Sequence, residues 1–204
     1  ESNATRAGEY HALFTALIRG WREAWGQGDF PFYFVQLPNY EGKYAARDDW
    51  PRIREAQTRA LTLPATGMAV MIDGPEFTNL HPGNKRDVGR RLALIARSQV
   101  YGLDNEWSGP VFKSAKREGA TFRVSFAHAT GLAGRTQPPA GFELAGADRI
   151  FHPADSRIAG EDVVVSSPDV PDPVALRYAW ADNPPPGLIN AANLPAAPFR
   201  TDTW

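Results

Sequence analysis

The sequence predicts an α/β fold that gives way, at about residue 102, to an all-β part. Residues 1–102 alternate amphipathic helices with short apolar runs, the order expected of parallel strands joined by helical crossovers. Residues 103–204 carry short strand-like runs between Gly, Pro and Asp clusters, without a long helical stripe. We therefore predict the C-terminal part of a doubly wound parallel sheet in residues 1–102. An antiparallel β-sandwich domain with an extended C-terminal arm is predicted in residues 103–204.

The first two helices and the first strand have clear boundaries. Apolar residues recur every three or four positions from Tyr10 to Trp25, which predicts a helix closed by Gly26. The run FPFYFVQL at 30–37 is apolar and aromatic up to Gln36, as expected of a strand buried on both faces. Pro51 lies in the first turn of the second predicted helix.

The second strand and the third helix enclose the most informative loop. Met68 to Ile72 is a short apolar run, and a helix is predicted from about Asn84 to Tyr101. We expect Val88, Leu92, Ile95 and Gln99 on one face of this helix and its Lys and Arg residues on the other. In the second part, strands are predicted at Thr121–Phe126, Asp162–Ser166 and Val174–Trp180.

Composition excludes several functional classes. The 22 basic and 23 acidic residues are interspersed and leave a net charge of -1, so we expect no nucleic-acid partner and no anionic membrane surface. The sequence has no cysteine, which rules out disulfides and thiolate chemistry. Its four histidines show no metal-ligand spacing, and it contains no GxGxxG or P-loop motif. We therefore predict neither a metal nor a cofactor.

His81 is the first candidate for catalysis. It lies in the loop between the second strand and the third helix, where open α/β sheets bind their ligands. In a parallel sheet, residues 1–3 and 36–39 would reach the same edge as this loop. An imidazole there could act as general base for a hydroxyl nucleophile, although a solvated or helix-capping histidine is the alternative.

Other polar residues could assist His81. Asn3 could donate its amide to a developing oxyanion, or it could simply cap the first helix. Asp73, Glu76 and Asn79 are candidates to orient the imidazole, although acids in a loop are mostly solvated. The sequence contains no serine in a sharp glycine-flanked turn after a strand, where an activated nucleophile usually lies. We therefore expect Glu1 to lie inside a longer protein that supplies the nucleophile.

An ordered set of segments over nearly the whole chain resembles the sialate O-acetylesterase family, carbohydrate esterases with an SGNH-hydrolase-like, three-layer core. The segments are ESNATRA, LFTALIRGWREAWGQGDFPFYFVQLPNY, REAQ, LPATGMAVMID, LHPGNKRDVGRRLAL, SGPVFKS, VVVSSP, RYAWADNP and PFRTD. The resemblance implies a cofactor-free serine hydrolase that removes acetyl groups from sialic acid or related glycans, in the periplasm or outside the cell. It places the nucleophilic serine in a G-x-S-N type motif N-terminal to this chain.

The resemblance also assigns individual positions. The family's Q-G-E-S-N segment corresponds to Glu1, Ser2 and Asn3, and its I-H-P-x-N-K segment places the catalytic histidine at His81. Relatives often carry an acid where this chain has Asn79, so the orienting group is either Asp73 or, in a Ser-His dyad, a backbone carbonyl.

Two further expectations concern activity. Residues 1–204 alone should be inactive, because the missing N-terminal segment of the same protein supplies the serine. The alternative function is a catalytically inactive carbohydrate-binding or scaffolding protein that uses the β-sandwich.

Overall fold

The computed structural model describes residues 2–42, 49–185 and 187–204. This part of the chain divides into two compact units. Unit 1 comprises residues 1–108 together with Ala181–Asn183, and unit 2 comprises the remainder. Three residues of unit 1 therefore lie far along the sequence, within the stretch that otherwise builds unit 2.

Unit 1 contains the predicted alternation of helices and strands. A short 3₁₀ helix precedes α1, and a second one continues α2, before the chain enters the second strand. The elements are 3₁₀ Ala4–Arg6, α1 Ala7–Trp25, β1 Phe32–Val35, α2 Asp49–Arg59, 3₁₀ Ala60–Thr62, β2 Thr66–Ala69 and α3 Lys85–Gln99. Gly26 ends α1 in a left-handed conformation, with φ of 63°. The element order and the predicted parallel pairing are confirmed, with boundaries displaced by a few residues.

The parallel sheet is small. Strands β1 and β2 pair in register, with Phe32 opposite Thr66 and Val35 opposite Ala69. In the described part of the chain these are the two strands of the sheet, so a doubly wound sheet is not confirmed. Gly67 lies in β2 under α3, where an added Cβ would lie 2.6 Å from Cγ2 of Ile95. Glycine therefore allows α3 to pack directly on the sheet.

Unit 2 is built from antiparallel sheets. Two of them have four strands, in the orders β3-β4-β9-β8 and β12-β10-β6-β7, and a third pairs β5 with β11. The strands are β3 Val111–Glu118, β4 Thr121–Ala127, β5 Ala133–Gly134, β6 Phe142–Ala145, β7 Phe151–Pro153, β8 Asp155–Ala159, β9 Asp162–Ser166, β10 Ala175–Tyr178, β11 Leu188–Ile189 and β12 Phe199–Arg200. Phe199 of one large sheet stacks on Phe112 of the other, with ring centroids 4.2 Å apart.

The C-terminal stretch, predicted as an extended arm, contributes two short strands. Its strands β11 and β12 join two sheets, and the Asp202 carboxylate is fully buried. Asp202 accepts hydrogen bonds from Arg177 at 2.8 Å and from Arg200 at 3.3 Å. Charge-assisted bonds of this kind compensate for the burial of the carboxylate. Among the described residues, no helix is both long enough and apolar enough to cross a membrane.

Candidate active site

One apolar cluster in unit 1 joins the three segments expected at the carboxyl edge of the sheet. Ala4 follows Asn3, Leu37 lies just after β1, and Leu80 precedes His81. All three contribute to a cluster whose buried members are Ala4, Ala7, Leu37, Tyr40, Trp50 and Ile53, with Tyr10 and Leu80 packed against them. The apolar side chains of Ala4, Leu37 and Leu80, which lie beside predicted site residues, thus belong to one cluster.

His81 lies on the exposed surface of the loop between β2 and α3. Its backbone N–H donates to Oδ1 of Asn79 at 3.0 Å. A side-chain oxygen that accepts from the amide two residues further on forms a local turn, which is a common role for asparagine. Asn79 therefore fixes the backbone at His81, and its side chain is used in shaping the loop.

The Glu76 carboxylate holds the same loop beyond His81. Its Oε2 accepts from the Gly83 amide at 2.9 Å, and its Oε1 accepts from the Asn84 amide at 3.0 Å. The hydrogen bonds from the Gly83 and Asn84 amides lower the pKa of Glu76 below its usual value, against a smaller opposing effect of desolvation. Asn79 and Lys85 add smaller contributions that also lower it. Glu76 was predicted as a possible orienting acid, and the structure shows which backbone groups it binds.

Asp73 follows β2 and forms a buried ion pair with Arg91 of α3. The two carboxylate oxygens accept from the guanidinium at 2.7 and 2.8 Å, and the side chains are only 9% and 7% exposed. Arg91 also donates to the Val70 carbonyl, which belongs to the chain leaving β2. Each carboxylate oxygen can accept more than one hydrogen bond, so the ion pair leaves Asp73 capacity for another donor.

Asn3 lies at the start of the short 3₁₀ helix that precedes α1. Among the described residues, its side chain makes no capping hydrogen bond to that helix, although its carbonyl accepts from Arg6 at 2.8 Å. The amide is therefore not used as a helix cap. Glu1, which the family resemblance also assigned to this segment, lies outside the described residues.

No metal site accompanies these residues in the described ranges. There, no group of three or more His, Asp or Glu side chains is arranged to hold an ion. The predicted site residues carry an imidazole, carboxylates and amides, which are the groups used in acid–base and acyl-transfer chemistry.

The chain is similar to proteins with known names and structures. A solved structure of a carbohydrate acetylesterase from Xanthomonas citri matches 100% of the chain with a TM-score of 0.93 and 46% sequence identity. The human sialate O-acetylesterase is 36% identical over 120 residues, and the mouse sialate O-acetylesterase is 38% identical over 132 residues. The chain is a relative of the sialate O-acetylesterases. The predicted resemblance is thereby confirmed, although no protein-family model matches the chain.

The comparisons cover only part of each relative. The chain spans 49% of the Xanthomonas citri structure, 23% of the human protein and 24% of the mouse protein. The matched regions take up 50% and 55% of the present chain for the human and mouse proteins.

The role of Arg91 was not predicted from the sequence. The prediction that the Lys and Arg residues of α3 lie on its polar face is wrong for Arg91, which is buried. Its spacing held a signal, because it lies three residues after Val88 and four before Ile95, on the apolar face. Arginine at such a position requires a buried acceptor, which Asp73 supplies.

A second group of missed residues lies after β1. Arg54 of α2 is fully buried and donates to four backbone carbonyls, those of Leu37, Pro38, Ala181 and Asp182, at 2.7–2.9 Å. Burial lowers the pKa of Arg54 to about 9, despite the opposing influence of Asp182. The guanidinium thus carries its charge at neutral pH and binds the chain after β1 to residues 181–183.

Asn39 extends this polar network toward the candidate site. Its amide donates to the Gly74 carbonyl at 2.9 Å and to Oδ1 of Asn183 at 3.1 Å. Gly74 directly follows Asp73, so the loop after β2 is attached to the chain after β1. The sequence placed residues 36–39 at this edge, but nothing in it indicated that Asn183 would join them.

Proposed function

We propose that the complete protein is a carbohydrate O-acetylesterase that hydrolyses acetyl esters on sialic acid or a related glycan by a serine/histidine mechanism. The observation that carries the proposal is the similarity of the whole chain to a carbohydrate acetylesterase at 46% identity. The geometry around His81 supports it, because the loop is fastened on both sides of the histidine.

In the proposed reaction, a serine from a segment N-terminal to Glu1 attacks the acetyl carbonyl carbon. His81 accepts the hydroxyl proton as the new C–O bond forms, and then passes it to the departing sugar oxygen. Water adds to the acetyl-serine by the same route and releases acetate and free serine. The doubly wound, SGNH-like core belongs to this proposal, since the serine and the remaining strands would come from that segment.

The oxyanion of the tetrahedral intermediate requires donors that are already in place. We assign this role to the Asn3 amide together with backbone N–H groups, because this side chain makes no capping hydrogen bond in the described residues. Asp73 is the proposed orienting acid for His81, since it lies directly after a buried strand and is held by Arg91. A Ser-His dyad, with a backbone carbonyl as acceptor, is the competing arrangement.

The function is tested by measuring acetate release from O-acetylated sialic acid and from acetylated neutral sugars with the complete protein. We expect release to stop after treatment with a serine-directed organophosphate, with a mass increase of one adduct on a peptide that precedes Glu1. Sugar binding without acetate release, and without adduct, would favour the binding or scaffolding alternative.

Replacing Asn3 with alanine in the complete protein is expected to lower kcat by roughly 10²–10³-fold and to change KM much less. An oxyanion donor acts mainly on the transition state, so its loss is seen in kcat. Asn105→Ala, which removes an amide elsewhere in unit 1, is the control, and its kcat should be unchanged. A fall in melting temperature with an unchanged kcat for folded Asn3→Ala protein would make Asn3 a structural residue.

A further inference from the structure

We propose that Glu76 is a positioning residue for His81, which it serves by holding the loop on both sides of the histidine. The inference rests on the proposed esterase function. In this role Glu76 does not need to contact the substrate.

The residues before His81 are fixed to Glu76 through its main chain. The Asn79 amide donates to the Glu76 carbonyl at 3.0 Å, which closes a turn. Asn79 in turn accepts from the His81 amide at 3.0 Å. Asn79 thus links the backbone of His81 to the backbone of Glu76 through two hydrogen bonds.

The residues after His81 are fixed to Glu76 through its side chain. The carboxylate bridges the successive amides of Gly83 and Asn84, with one oxygen on each. Asn84 is also the N-cap of α3, where its Oδ1 accepts from the Asp87 amide at 3.3 Å. The loop that carries His81 is thereby joined to the start of a helix whose position on the sheet is set by Ile95 and Arg91.

The hydrogen bonds from the Gly83 and Asn84 amides are strongest when the Glu76 carboxylate is ionised, so its pKa matters. The Gly83 and Asn84 amides lower the pKa of Glu76, and an anion beside the start of a helix is further favoured by the helix dipole. The carboxylate therefore stays ionised near neutral pH. A group with a lowered pKa loses its contribution only as the pH falls through that lowered value.

Positioning of this kind has a direct effect on rate. A catalytic base must be held to within about 0.5 Å of its productive geometry, and a misplacement of 1 Å can cost about 10²-fold. His81 lies on an exposed loop, so the loop's own hydrogen bonds supply much of its restraint. Glu76 takes part in three of them, through its carbonyl and both carboxylate oxygens.

Glu76→Gln in the complete protein tests the proposal. Glutamine has one side-chain oxygen and no charge, so it can accept from only one of the two amides, and its own amide faces the other as a second donor. We expect kcat for acetate release to fall roughly 10- to 100-fold, with KM nearly unchanged. Hydrogen exchange at the Gly83 and Asn84 amides should become faster. Glu23→Gln, the same change on the exposed surface of α1, should leave kcat and exchange at these amides unchanged.

The outcomes separate this proposal from the esterase mechanism. Wild-type kcat in Glu76→Gln, combined with an inactive His81→Ala protein, overturns the positioning role and leaves the mechanism intact. Activity retained in His81→Ala overturns both. A fall in kcat that follows the loss of folded protein returns Glu76 to a structural role. If Glu76→Gln does not fold, Asn79→Ala removes the restraint on the other side of His81, and wild-type kcat in that variant contradicts the proposal.

Discussion

Replacing His81 with alanine in the complete protein is expected to lower kcat for acetate release by at least about 10²–10⁴-fold, the usual worth of a catalytic base. The loss should be larger if serine ionisation depends entirely on the imidazole. The melting temperature should stay nearly constant, because the side chain lies on an exposed surface and substitutions there usually cost less than about 0.5 kcal/mol. Initial rates and thermal unfolding of the same preparations measure both effects.

His11→Ala provides the control for this variant. His11 lies on α1, away from the loop in sequence, and we expect its replacement to preserve most of the esterase activity. Equal losses of activity in the two variants would indicate a general effect of histidine removal on folding. An active His81→Ala protein would refute the assignment of the base.

Arg91→Met should lower the free energy of unfolding by about 3–5 kcal/mol, because it leaves the buried Asp73 carboxylate without its cation. The arginine also holds the Val70 carbonyl, so the chain leaving β2 loses a further restraint. Urea unfolding measures the change. Arg90→Met, the same substitution at the exposed neighbouring position, is expected to cost less than about 0.5 kcal/mol.

The same variant separates the two candidate arrangements around His81. If Asp73 is the orienting acid, Arg91→Met should also lower kcat at temperatures where the protein is fully folded, because the carboxylate is no longer fixed. In a Ser-His dyad, kcat should be nearly unchanged under those conditions. Combining Arg91→Met with Asp73→Asn measures how far the two side chains act together, since residues in contact are not additive.

The regular part of unit 1 was predictable because periodicity reports directly on burial. The apolar spacing from Tyr10 to Trp25 and the continuous run before Pro38 predicted α1 and β1, and the ends differed by only a few residues. Their exact limits depend on hydrogen bonds that periodicity does not encode. The loop of His81 was predictable for a related reason, since a buried strand followed by a helix places such a loop at the sheet edge.

The polar contacts of the site could not be derived in the same way. Glu76 was recognised as a candidate, but its choice of the Gly83 and Asn84 amides depends on how the loop closes in three dimensions. Arg91 was predicted on the polar face because it is charged, although its spacing of four residues from Ile95 indicates the apolar face. Asn183 was inaccessible to such reasoning, because its contact with Asn39 joins residues 144 positions apart. Long-range polar pairs of this kind leave no local pattern.

The burial of Arg54 has a consequence for recombination between this gene and genes of similar proteins. A crossover that exchanged everything after Ser108 would bring in a foreign segment at 181–183 and endanger two of the four carbonyl acceptors of this guanidinium. A buried cation deprived of acceptors is strongly destabilising. Chimeras that keep the backbone path of Ala181–Asn183 should therefore fold, while exchanges that alter its length should prevent folding. Unit 1 is thus inherited as two separated stretches of sequence that have to match each other.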